Sequence, residues 1–340
     1  MRILISHPGP GFSVADVYVG WVEALRAAGQ QVLEFNLGDR LVFYDKAELC
    51  QDDGVYRKAL TSEQAIEHAV NGLAAALYKT RPHVLLSVST FWPDTRLFDM
   101  ARHQGTRVVL LHTESPYEDE RQLKLAPHAD LNLLNDPMHL ADFEALAPTV
   151  YAPHAYRPAV HCPGPTDEAA SDLAFVGTGY PSRVEFLESM DLDGLEVSLA
   201  GNWMNTPDDS PLRKYLVHDA DWCFDNEDTV GLYRAAKTGL NLYRREAERP
   251  ELSEGWAMGP REVEMAACGL FFLRDPRGEG DEVLWMLPTF DGPEDASEQL
   301  RWWLAHDSQR EAAATQARAA VADRTFDNHA ARLLRLLEGK

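Results

Sequence analysis

The feature that most constrains this chain is an opening written twice. Residues 3–6 form a short apolar run, followed by the loop His7-Pro8-Gly9-Pro10-Gly11. A stretch with Val14, Val17, Tyr18, Trp21, Val22 and Leu25 at helical spacing comes next, then a second apolar run at 31–35. Near residue 173 the order returns, as run 173–176, loop Gly177-Thr178-Gly179, helix-compatible 183–190 and run 195–199. Such spacing specifies strand, helix and strand. A strand–glycine loop–helix–strand unit is a βαβ crossover, which makes its strands parallel. Two such openings predict an α/β chain of two similar α/β lobes, not one long sheet.

Between them, helices are predicted at 63–78 and 95–103 and strands at 84–88, 108–111 and 131–134, with Asn135-Asp136-Pro137 opening another helix. Residues 38–60 are polar and follow no period. Residues 151–166, YAPHAYRPAVHCPGPT, hold four prolines and read as a connector. The predicted domains are 1–155, a linker at 156–171, and 172–322. A last helix within 323–340 is expected to return toward the first domain. In the second half, helices are predicted at 229–237, 261–268, 281–286, 296–304, 309–321 and 326–337. Strands are predicted at 239–243, 270–273 and 289–290.

Charge narrows the partners. A formal net charge of −22 opposes broad contact with nucleic-acid phosphate or an anionic membrane surface. No apolar stretch reaches the length of a membrane span. Cys50, Cys162, Cys223 and Cys268 are scattered without a CxxC or Cys/His cluster, so structural zinc is not expected. The expectation is a protein of a reducing cytoplasm.

Candidate chemistry lies in the loops that follow strands, where open α/β sheets bind ligands. The first loop, with Gly9 and Gly11, lacks the GxGxxG fingerprint. It places His7 as a catalytic base, a sugar contact or an ordinary loop cap. The turn 112–118, HTESPYE, offers Glu114 as acceptor base, with Glu114 and Ser115 as helix caps the alternative. Arg183 begins a helix after Gly177 and suits a diphosphate. In residues 255–273, GWAMGPREVEMAACGLFFL, Gly259-Pro260 open a helix that Gly269 stops. Arg261 and Glu264 share a face of that helix at its start. There an arginine and backbone N–H groups suit a phosphate, and a carboxylate suits a ribose diol. An ordinary surface pair is the competing reading.

Three segments together carry a resemblance: Phe175-Val176-Gly177, Gly239-Leu240-Asn241-Leu242, and Gly259-Pro260-Arg261-Glu262-Val263-Glu264-Met265-Ala266-Ala267-Cys268-Gly269. From about residue 173 to 337 the chain resembles the GT-B glycosyltransferases, most of all the CgeB-like group. In that group an R-x-x-E-x-x-x-x-G motif follows an asparagine-bearing strand. The resemblance implies two Rossmann-like domains facing a cleft, with the acceptor on the first and a nucleotide-sugar, usually a UDP-sugar, on the second. It implies Arg261 on the diphosphate, Glu264 on the ribose, and Gly177, Arg183 and Asn241 at the donor. It implies no metal and no cofactor beyond that co-substrate, since arginines and helix N-termini meet the diphosphate charge. One departure stands out: where retaining relatives carry a second glutamate, this chain has Trp256. Two alternatives follow, a GT-B-shaped binding protein without catalysis and a nucleotide-sugar epimerase. The acceptor is open, whether protein, glycan, small metabolite or, against the charge, modified DNA.

Overall fold

The computed structural model describes residues 1–9, 14–220, 224, 226–247 and 252–339. The chain divides into two compact units, Met1–Ala152 with Ala330–Lys340, and Pro153–His329.

The first unit runs β1 (Arg2–Ser6), α1 (Ala15–Ala27), β2 (Gln31–Phe35), α2 (Leu37–Asp45), β3 (Glu48–Cys50), β4 (Tyr56–Lys58), α3 (Ser62–Thr80), β5 (Val84–Val88), α4 (Thr95–His103), β6 (Arg107–His112), α5 (Asp119–Leu125), β7 (Leu131–Leu134), α6 (Leu140–Glu144) and β8 (Thr149–Tyr151). Six of these strands form a parallel sheet in the order β2-β1-β5-β6-β7-β8. β5 is buried at every residue, as its unbroken apolar run requires of a strand covered on both faces. α3 opens with a reciprocal cap between Thr61 and Gln64.

The second unit runs β9 (Ser171–Val176), α7 (Pro181–Ser189), β10 (Val197–Ala200), α8 (Asn226–Ala235), β11 (Ala236–Asn241), α9 (Pro260–Cys268), β12 (Phe272–Arg274), α10 (Gly278–Val283), α11 (Pro293–Leu304), α12 (Asp307–Ala320) and α13 (Phe326–Glu338). Its sheet is also parallel, ordered β10-β9-β11-β12. The core gathers Phe175, Trp203, Val263, Phe271, Phe272 and Leu300, all buried. The division between the units falls within α13. Within the first unit, Arg332 Nη1 donates to Tyr151 O at 2.8 Å, and Arg107 Nη1 donates to Leu337 O.

Several expectations are corrected. Residues 38–60 hold α2 and an antiparallel hairpin, β3 with β4, exposed at every residue. Without a buried face, no alternation marks it. Asn135-Asp136-Pro137 does not open a helix; the side chain of Asp136 takes the N–H of Met138, and only the short α6 follows. Residue 151, read as the start of the connector, ends β8. The strand expected at 270–273 is Phe272–Arg274, because Gly269 and Leu270 still complete the helix C-cap. The helix of 281–286 is Gly278–Val283, and 289–290 is a single bridge to Arg274.

Candidate functional site

The second unit concentrates charge where β11 and β12 end and α9 begins. Gly259 caps α9 and Pro260 follows it, a position that needs no N–H donor. Gly269 closes the helix in the left-handed conformation, at φ 79°. Arg261 sits half-buried in the first turn, and Glu264 is 4% exposed. The buried Nε of Arg261 has no hydrogen-bond partner among the described residues. At the end of β11, Asn241 is buried, and its Nδ2 likewise lacks a partner among the described residues. Its carbonyl accepts the N–H of Asp275 at 3.0 Å, which ties the loop after β12 to the tip of β11.

Around this start lie charges that sequence spacing did not single out. Glu262 is fully buried; its Oε2 accepts from Gly259 N at 2.7 Å and from Tyr243 OH. Arg274 is buried and pairs with Asp281 at 2.7 Å. Arg277 lies over the Tyr243 ring at 3.9 Å. Arg324 pairs with Glu279 at 2.7 Å, and Glu279 also takes the Met258 N–H at 2.8 Å. The connector's His154 reports the field: burial first, then the positive charges of His329, Arg324, Arg277 and Arg261, hold its pKa at about 3. Positive charge in this neighbourhood thus keeps the imidazole neutral.

Glu262 gives this site a pH dependence. Burial, the largest influence, raises its pKa from 4.5 to about 7, against the pull of Tyr243, Gly259 and two arginines. Between those values the folded protein holds a proton that the unfolded chain has released. The stability that Glu262 contributes therefore falls as pH rises through that window and levels off above about 7. The loss is expected to be on the order of a few kcal/mol. Urea titrations from acid to neutral pH should show stability rising more steeply with pH in Glu262→Gln than in the wild type, since His112 and His154, held neutral by burial, add the opposite slope to both proteins. An equal slope in both would remove Glu262 as the source of the difference.

The loop after β9 is packed from within. A Cβ at Gly179 would lie 2.7 Å from Trp203 Cε3, so the indole requires glycine there. At Gly177 a Cβ would lie 3.2 Å from Arg183 Nη1. Arg183 Nη1 donates to Thr178 O at 3.2 Å, and its guanidinium lies over the Tyr180 ring at 5.3 Å. Arg183 and Arg245 line an open cavity of about 320 Å³ with Tyr243 and Asp275. The indole of Trp256 packs over Gly278, where a Cβ would collide with it.

In the first unit, His7 follows β1. Its Nδ1 accepts from Gly9 N at 3.2 Å, its ring meets Tyr18 edge-on at 4.9 Å, and burial lowers its pKa. The neutral ring then carries its proton on Nε2, which suits a donor to a hydroxyl better than a base. Gly9 has φ 128°; Gly11 lies outside the described residues. Glu114 is half-buried in the turn after β6. The helix-cap reading of this turn is corrected: α5 starts only after Glu118, and Ser115 Oγ donates to the Asp119 carboxylate at 3.0 Å.

Residues 183–335 match the model of a family described as glycosyl transferase-like. That span contains Arg183, Asn241, Arg261 and Glu264, and Gly177 lies just before it. No curated protein matches the sequence. Among solved structures, an alpha-glucosyltransferase in complex with UDP and a 13-mer DNA containing an HMU base is 12% identical. The alignment covers 100% of each chain with a TM-score of 0.65. A structure described as trehalose-6-phosphate from E. coli bound with UDP-2-fluoro glucose is 12% identical over 99% of both chains, with a TM-score of 0.63. The fold is GT-B. Another similar structure is a putative UDP-N-acetylglucosamine 2-epimerase from Listeria monocytogenes, 12% identical, covering 100% of this chain and 97% of that one, with a TM-score of 0.63. Among the described residues, no helix is long and apolar enough to cross a membrane.

Proposed function

We propose that the chain is a cytoplasmic glycosyltransferase of the CgeB-like kind, moving a sugar from a nucleoside-diphosphate sugar, a UDP-sugar first among them, to a hydroxyl acceptor. The observation that carries this is the start of α9, where the buried Nε of Arg261 and, at the tip of β11, the Nδ2 of Asn241 have no hydrogen-bond partner among the described residues. Arg261 and the backbone N–H groups of the first turn meet the diphosphate, while Glu264 accepts from the ribose hydroxyls. Asn241 and the loop from Gly177 to Arg183 complete the donor side. Glu114 is the acceptor base, and His7 donates to a sugar hydroxyl. Guanidinium charge and helix N-terminus stabilise the leaving diphosphate, so no divalent ion is required. EDTA should leave turnover unchanged; abolition by EDTA and rescue by Mg²⁺ would overturn that part.

The epimerase likeness supports a second reading, in which the same donor site rearranges the sugar without transferring it. Incubation with a panel of UDP-, GDP- and TDP-sugars, followed by mass analysis, decides. Transfer or hydrolysis releases the free nucleoside diphosphate, whereas epimerisation leaves the mass unchanged. Folded protein that consumes no donor would overturn both.

A further inference from the structure

Within the second unit, the connector brings a buried histidine up against α9. His161 is 1% exposed. It closes a tight turn with Arg157, whose carbonyl accepts from His161 N at 2.8 Å and from Val160 N at 3.0 Å. In the same turn Arg157 N donates to His161 Nδ1 at 3.2 Å. A ring nitrogen that accepts carries no proton, so this imidazole holds its proton on Nε2. Nε2 is buried and has no hydrogen-bond partner among the described residues. A buried donor left in that state is costly, and calls for a role.

α8 clamps the turn at both ends. The buried Arg157 pairs with Glu227 at 2.6 Å. Arg234 donates to Val160 O at 3.1 Å and to Cys162 O at 2.8 Å. The carbonyls on either side of His161 are thus tied to one guanidinium, a planar fork that tolerates little rotation. Held this way, a ring nitrogen of His161 lies within 4.8 Å of a carboxylate oxygen of Glu264. Nδ1 is committed to Arg157, so Nε2–H is the group left to serve Glu264. Tyr233 and Cys268 border the same carboxylate: burial first, then the charge of Glu264, raise the pKa of both, that of Cys268 to about 12. Both therefore stay protonated. A carboxylate buried among neutral groups keeps one orientation only where donors of fixed geometry hold it.

We propose that His161 is a positioning residue for Glu264, and that its Nε2–H holds the carboxylate toward the ribose diol through one hydrogen bond, direct or relayed by a single water. One oxygen at about 2.8 Å from each atom spans a gap of this width. Without that tether the carboxylate turns about its own side chain, and the ribose hydroxyls meet it in the right orientation only part of the time. The inference rests on the glycosyltransferase reading, in which Glu264 accepts from the ribose.

Calorimetry with UDP and with dideoxy-UDP, which lacks both ribose hydroxyls, tests this. His161→Asn keeps an acceptor for Arg157 N and withdraws the donor from Glu264. On protein that circular dichroism shows to be folded, it should weaken UDP about tenfold, the effect of one lost hydrogen bond, and leave dideoxy-UDP unchanged. His161→Gln, which keeps an N–H at the reach of Nε2, should restore most of that affinity. In a Glu264→Ala background, His161→Asn should add no further loss, because both act on the same contact. An equal loss for both nucleotides would make His161 a structural residue and overturn the inference, as would an unchanged affinity for UDP. A wild type that binds both nucleotides alike would overturn it while leaving the glycosyltransferase reading intact. A wild type that binds no nucleoside diphosphate would remove both.

Discussion

Arg261→Ala should weaken nucleoside-diphosphate binding by roughly thirty- to a hundredfold, about 2–3 kcal/mol, the loss of one charge-assisted contact to a phosphate. The fold should not suffer. Arg261 is half-buried, its Nε has no hydrogen-bond partner among the described residues, and it shares its surroundings with Arg277 and Arg324. Removing one of three like charges relieves repulsion, so the thermal midpoint should stay level or rise. The loss should appear in kcat/KM for donor hydrolysis and in the affinity for the free nucleoside diphosphate. A variant that binds donor as the wild type does would detach α9 from the donor. A variant that melts early would make Arg261 a structural residue.

Gly201→Ala should be the most damaging small substitution in the second unit. Gly201 has φ 125°, a conformation that L side chains rarely adopt. A Cβ there would run into the carbonyl oxygen of Gly177, which is backbone and cannot turn aside. The two residues stand where β10 and β9 end side by side, and Gly177 N already donates to Ala200 O at 2.9 Å. Relief would require parting the two strand ends that carry the 177–183 loop. A loss of about 4 kcal/mol or more is expected, with nucleotide binding lost alongside. Gly194→Ala is the control: its φ is 75°, but nothing lies within 4 Å of its Cβ, so only backbone strain of about 1–2 kcal/mol is added. Similar urea midpoints for the two variants would contradict the packing argument.

What the sequence made legible follows from which groups are local. The doubled βαβ openings could be read because helical and strand periods are local properties, and both sheets are parallel. Arg261 and Glu264 stood out because three residues of helix place them on one face. Glu262, between them, did not, since a glutamate in the first turn reads as an ordinary cap. Its full burial comes from Tyr243 and from the segment holding Arg274 and Arg277. The charges that lower the pKa of His154 come from residues 261, 277, 324 and 329, whose separation in sequence has no period to detect. The buried hydroxyls of Ser89, Thr90 and Thr113, without hydrogen-bond partners among the described residues, were equally hidden: small polar residues after strands read as turn formers until burial is known. The β3–β4 hairpin, exposed on both faces, left no pattern at all.

The most direct measurement is a calorimetric titration of nucleoside diphosphates into the folded protein in a metal-free buffer. One saturable site, tightest for UDP, is the result predicted if α9 opens onto a pyrophosphate. No heat with UDP, GDP, ADP or TDP, from protein whose circular dichroism shows it intact, would contradict it.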